Sequence, residues 1–285
     1  DSHNNDELIL GAKSGADYML SIKSDNFHIL DEVDSYPILI PQNGDIKSLY
    51  ECIDKCLEMG RIFIADPILD PINYGFTDSI LRYKELRDRY PDIHIMMGTG
   101  NVTELTHADT TGITMTLMGI ISELKINHIL TTEVSNHCKS VVKENDIARR
   151  IILAAHDNNT TPKHIDSALL TTHDADSFKY SSDEIRELAD NVRDKNYRIM
   201  ISEDGIHIFN KNGIKIAIDP FDLYESIDVE GDIGHAFYLG IELARAQIAY
   251  QLGKDYEQDE ELKWGCLVDQ EIDDKLSFKK AGSTY

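Results

Sequence analysis

Positive charge is what this sequence has least of: 28 lysines and arginines stand against 51 aspartates and glutamates, a formal net charge of −23. Nucleic acids and anionic membrane surfaces both need a basic patch, so neither is an expected partner. Long apolar runs are missing, and no stretch reaches the length of a bilayer helix. No leader with a charged start, apolar centre and cleavage site is visible. Cysteine is sparse: Cys52, Cys56, Cys138 and Cys266 form no CxxC pair, and the first two share one side of an expected helix. Reduced buried thiols are the ordinary reading and a metal site the lesser one; a cytoplasmic compartment follows. The chain opens on Asp1-Ser2 with no Met, which leads to the expectation that an N-terminal part is missing.

What is present is a chain of 285 residues, 41% apolar and 28% charged, long enough for one large domain or two ordinary ones with a sizeable core. Its organising stretch is residues 61–101. Two short apolar runs, 62–65 and 93–97, flank an amphipathic segment, and each ends abruptly in a polar loop. Buried strands joined by a crossover helix read this way, and such strands are parallel neighbours. The first delivers Asp66 at its C-terminal end and the second Asn101 just beyond, at the end where parallel α/β folds bind ligands.

The same alternation runs through the first half. A short helix over 8–13 precedes a strand at 18–22, one helical turn over 27–33 and a strand at 37–40. A helix over 45–59 has apolar residues at a 3.6 period and stops at Gly60. Thr77 is the expected cap of a helix running to Tyr90. Helices over 109–124 and 141–155 flank a strand at 128–130. About five strand–helix units predict a parallel α/β domain, completed by the missing part into a closed (β/α)8 barrel; an open doubly wound sheet is the rival. From residue 156 the character changes. Polar stretches enclose a candidate helix at 164–170, and the boundary is set near Asp176, giving domains 1–175 and 176–285. The second reads as small and α+β: a helix over 184–193, strands at 197–201, 206–209 and 214–218 joined by EDG and NKNG turns, and a helix over 234–252.

The loops of the first domain resemble those of the pterin-binding family, which includes dihydropteroate synthases and corrinoid-linked methyltetrahydrofolate methyltransferases, all (β/α)8 barrels. The resemblance covers about residues 1–135. DSHNN resembles the end of the family's third strand, GADYMLSI its fourth, FIADPILDP its sixth and MMGTGN its seventh. As a whole the chain is similar to archaeal dihydropteroate synthase-related proteins, whose C-terminal extension YRIMISEDGIHIFN, DPFDLYES and HAFYLGIELARAQIAYQLGK resemble. The resemblance implies a reduced pterin, of tetrahydrofolate or tetrahydromethanopterin type, as ligand. Asp66 and Asp1 would accept from its amide N–H and amino group, as a carboxylate can. Asn101 matches the asparagine that methyltransferases place near N5. Where the family has Asn after its fourth strand, this chain has Ser21 and, further on, Asn26. Synthases carry Ser-Arg-Lys and Arg-x-His to meet pyrophosphate; here stand Gly100-Asn101-Val102 and Thr131-Thr132-Glu133.

The expected function is therefore methyl or one-carbon transfer from a reduced pterin, with a corrinoid on a partner protein as acceptor and association into a homo-oligomer. A synthase-like condensation, a non-catalytic pterin-binding and docking protein, and an unrelated barrel enzyme are the alternatives. Each residue also has a plainer reading. Asp66 can cap its own loop, Asp70 turns a Pro-bounded loop, and Asn101 suits a turn after Gly100. Glu104 and Glu133 sit where a general acid could, or are solvated loop carboxylates. His107 and His137 with Cys138 lack metal-ligand spacing. Asp219, Asp222 and His235 are explained as well by turns and caps. Gly98, Gly100 and Gly112 match no phosphate-binding fingerprint.

Overall fold

The computed structural model of the chain describes Ser2 and residues 4–268. The chain divides into two compact units, Asp1–Ile165 and Asp166–Tyr285. In the first, α1 (Asn5–Lys13) leads into β1 (Tyr18–Ile22), a 3-10 turn (Phe27–Asp31), β2 (Tyr36–Leu39), α2 (Ile46–Glu58), β3 (Ile64–Ala65), α3 (Phe76–Arg89) and β4 (His94–Gly98). A short α4 (Gly100–Thr103), α5 (Thr110–Glu123), β5 (His128–Leu130) and α6 (Val141–Asp157) follow. Asp45 caps α2 by accepting from the Lys47 N–H. The cap of α3 is Gly75 rather than Thr77: its φ is +106°, and a Cβ there would meet Asp70 Oδ2 at 2.9 Å.

The five strands pair in parallel in the order β1-β2-β3-β4-β5. This corrects the expectation of a closed (β/α)8 barrel. Closure takes eight strands, whereas the described residues form a five-stranded half-barrel sheet with β1 and β5 at its edges. The sequence supplies five strand–helix units and then turns to antiparallel hairpins. The sequential order also contains no reversal, so right-handed crossovers put the connecting helices on one face, unlike a doubly wound sheet. Burial is nearly continuous along the central strands, so residues of both faces are buried. Ile38, Ile64 and Met96 cluster with Leu20 on one face. By alternation Leu39, Ala65, Ile95 and Met97, all with no exposed surface, occupy the other.

The second unit contains α7 (Ser182–Asn191), an antiparallel meander of β6 (Arg198–Ser202), β7 (Gly205–Asn210) and β8 (Gly213–Ala217), the short α8 (Pro220–Leu223) and α9 (Ile233–Leu252). Ser181 and Glu184 form a reciprocal capping box at α7. Leu239, Leu243, Ala246 and Ala249 of α9 pack on Ile199, Ile201, Ile206 and Ile208 of the sheet. Residues 164–170 form turns, not a helix. The stretch 166–175 groups with the second unit because Lys254, with no exposed surface, donates to the Thr171 and Thr172 carbonyls and stacks 4.8 Å from the Trp264 ring centroid. The Cys266 N–H likewise donates to the Ala168 carbonyl. Among the described residues, no helix is long and apolar enough to cross a membrane.

Candidate functional site

Asp66 follows β3 directly, and its backbone N–H donates to the Leu39 carbonyl, which continues the ladder by one residue. Its side chain is 7% exposed. Oδ1 accepts from the Tyr83 hydroxyl at 2.8 Å and from the Ile68 N–H at 2.8 Å. Oδ2 has no partner among the described residues, yet it is not one of the enclosed polar atoms, so it retains contact with solvent. Burial is the main cause that lifts its pKa to about 6; the bonds from Tyr83 and Ile68 and the charge of Arg82 pull the other way. Burial and the neighbouring carboxylate hold the Tyr83 hydroxyl well above its ordinary value, so it remains a donor.

The loop is built around this group. Ile68, a β-branched residue, sits at φ +66°, a conformation that costs roughly 1–3 kcal/mol and gathers at functional sites. Arg82 spans the loop, donating to the Pro67 and Ile68 carbonyls and to Asp70 Oδ2 at 2.8 Å. Asp70 is thus structural. Asn101, on α4, donates through Nδ2 to the Leu69 carbonyl at 2.8 Å, which fastens the end of β4 to the Asp66 loop and leaves Oδ1 as an acceptor. At the end of β5, the Thr131 hydroxyl is buried without a partner. Three adjacent strand ends therefore each carry an oxygen without a partner among the described residues; that of Thr131 is enclosed, whereas Asn101 is exposed.

The other expected residues separate from this cluster. Asp1 lies outside the described residues. Ser21, near the end of β1, and Asn26, in the loop after it, lie beside an open hollow of about 600 Å³ also lined by Asn4, Lys23 and Asp25. Asn26 is spent on that loop: its amide accepts from the Lys23 N–H and donates to the Ser21 carbonyl. Ser21 adopts φ +66° where the β1–β2 register shifts. Glu104 accepts from Thr132 Oγ1 and from the N–H groups of Val134 and Ser135. Bonds from Ser135 foremost, then Val134, hold its carboxyl down at about 2, unsuited to a general acid near neutrality. Glu133 accepts from the Val142 N–H at the start of α6.

His107 and His137 meet edge to face at 5.3 Å, with His137 against the Thr103 carbonyl. Burial pushes the Cys138 thiol up to about 11. Among the described residues, no three His, Cys, Asp or Glu side chains could hold a metal ion. All four cysteines are buried, and none of them forms a disulfide. Gly100 is needed for close approach, since a Cβ would meet Thr132 Oγ1 at 3.0 Å; Gly98 and Gly112 face open space. In the second unit Asp219 caps α8, Asp222 is exposed, and His235 lies between the Tyr197 and Tyr238 rings. Sequence reasoning missed Tyr83, Arg82 and the Thr131 hydroxyl. Tyr83 was detectable as a residue on the apolar face of α3.

No family model matches the chain. It is similar to a protein of Methanocaldococcus jannaschii named Uncharacterized protein MJ0107, with 31% identity over 315 residues, covering 92% of this chain and 57% of the relative. The chain thus spans a little over half the length of that relative.

Proposed function

We propose that the ends of β3, β4 and β5 bind a reduced pterin of tetrahydrofolate or tetrahydromethanopterin type, and that the chain serves methyl or one-carbon transfer from its N5. Asp66 carries this reading. One of its oxygens is fixed by Tyr83 and Ile68, and the other is left without a partner among the described residues. A pterin edge offers an amide N–H beside an amino group, and an ionised carboxylate accepts from both. Asn101 contributes an acceptor, because its Nδ2 is already anchored on Leu69. An amide oxygen there suits a nitrogen that carries a proton when its methyl leaves. Breaking the C–N bond returns the electron pair to that nitrogen, which keeps its proton and its hydrogen bond.

The resemblance to corrinoid-linked methyltransferases suggests the acceptor: a corrinoid on a partner protein would supply a low-valent cobalt as nucleophile. Buried cysteines outside any disulfide support a cytoplasmic setting. Condensation of a pterin diphosphate is less favoured. Arg82 is committed to Asp70 and two carbonyls, and the loops after β4 and β5 carry Glu104 and Glu133 where a pyrophosphate would need cations. The test is equilibrium binding of methyl-tetrahydrofolate, a tetrahydromethanopterin and a dihydropterin diphosphate. Preference for the tetrahydro forms is expected. Preference for the diphosphate would overturn methyl transfer, and binding of none would overturn the pterin reading.

A further inference from the structure

We propose that Tyr83 is the positioning residue of this site: from the buried side of α3, its hydroxyl orients the Asp66 carboxylate and holds it in the form that accepts from a ligand. The inference rests on the reading of Asp66 as the ligand's acceptor. Tyr83 has no exposed surface and shares its side of α3 with buried Ser79 and Leu86. It therefore acts through Asp66 and not by touching a ligand. Its hydroxyl donates to Asp66 Oδ1 at 2.8 Å, and the Ile68 N–H donates to the same oxygen at 2.8 Å. Two donors on one oxygen fix the plane of the carboxylate. They leave Oδ2, which has no partner among the described residues, as the atom on offer. Of the two donors, Ile68 belongs to the Asp66 loop itself. Only Tyr83 reaches in from another element.

Charge makes that bond matter. Asp66 is 7% exposed, and burial favours the neutral form of a carboxyl. A neutral carboxyl carries a proton on one oxygen and can no longer accept from an amide N–H and an amino group together. Against burial, the Tyr83 hydroxyl is the foremost influence favouring the anion, followed by the Ile68 N–H and the charge of Arg82. Arg82 also stands on α3, and its guanidinium is committed to Asp70 and two carbonyls. The ionisable groups on neighbouring loops are engaged elsewhere. Asp45 after β2, Glu104 after β4 and Glu133 after β5 each accept from backbone N–H groups. His107 meets His137, which is held against the Thr103 carbonyl. Tyr83 itself stays protonated, because burial and the charge of Asp66 favour its neutral form. A buried phenol in need of any acceptor would be served by a backbone carbonyl, without the cost of a desolvated charge.

The test is Tyr83→Phe, which removes one oxygen and keeps the ring. In the ligand-free protein, carbon-13 NMR of the Asp66 carboxyl should show its midpoint move from about 6 to about one unit higher. Tetrahydropterin affinity should then fall about 5-fold at pH 6 and stay within about 2-fold of wild type at pH 8.5. In an Asp66→Asn background the same change should have no pH-dependent effect. An equal loss at every pH would mark Tyr83 as merely structural and overturn the proposal. An unchanged Asp66 midpoint would overturn it too, and would leave the pterin reading standing. A shifted midpoint with no pterin bound by either protein would uphold the role of Tyr83 and overturn the pterin reading. If Tyr83→Phe does not fold, wild type decides: the Tyr83 ring carbon bearing the hydroxyl should shift in step with the Asp66 titration, and a silent resonance would overturn the proposal.

Discussion

Replacing Asp66 by Asn should make the protein more stable, not less. Burial raises the folded-state pKa of this carboxyl from 3.8 to about 6. Below 3.8 the group is protonated in both states, and its charge costs nothing. Between 3.8 and about 6 the unfolded chain ionises while the folded chain resists, so stability falls as the pH rises. Above about 6 the loss is complete and constant. Roughly two pH units at about 1.4 kcal/mol each amount to about 3 kcal/mol. Asparagine keeps an Oδ1 acceptor for Tyr83 and Ile68 and carries no charge; after the cost of its buried amide, a gain of about 1–3 kcal/mol at pH 7 is expected. Urea unfolding followed by far-UV circular dichroism, with both proteins at each pH from 4 to 8, isolates the effect, because the difference cancels the other carboxylates. The gain should be near zero at pH 4 and level off above pH 6. A variant less stable than wild type by the same amount at both ends would refute the reasoning: the carboxylate would then be a loop staple. A stabilising substitution at a strand-end carboxylate is what a group retained for ligand binding predicts.

Other consequences follow from the same geometry. Glu104 is held at about 2, below its ordinary 4.5, so the stability it contributes is present above pH 4.5 and lost as pH falls through about 2. Glu104→Gln should lower the melting temperature at pH 6, with the gap to wild type closing towards pH 2; a constant gap would contradict the assignment. Lys254→Met should cost about 2–4 kcal/mol, since it strands the Thr171 and Thr172 carbonyls, and should alter the emission of Trp264, the single tryptophan. Unchanged emission and stability would contradict the buried clamp.

Much of the fold was legible because it is written in local periodicity. The apolar runs before Asp66 and around Ile95, the 3.6 spacing of α2 and the Gly-bearing turns of the meander are short-range signals, and the structure places elements there. Strand count was legible too; the step from five strands to a closed barrel came from extending five strand–helix units to eight, and the described residues add no further parallel strand. What could not be read was contact at a distance. Tyr83 reaches Asp66 across seventeen residues, Glu104 ties a loop about thirty residues away, and Lys254 looks like a solvated lysine after a helix-ending glycine. Asn26 and Glu133 illustrate the converse: residue type allowed a ligand role, and hydrogen bonds to their own loops absorb both.

The most direct test of the central claim is the pH dependence of tetrahydropterin binding to wild type and Asp66→Asn, measured by calorimetry. An ionised Asp66 is the proposed acceptor. Wild-type affinity should therefore hold above pH 7 and decline below about 6, and the variant should bind at least about 100-fold more weakly at pH 7.5. Equal affinity of the two proteins across that range would contradict it.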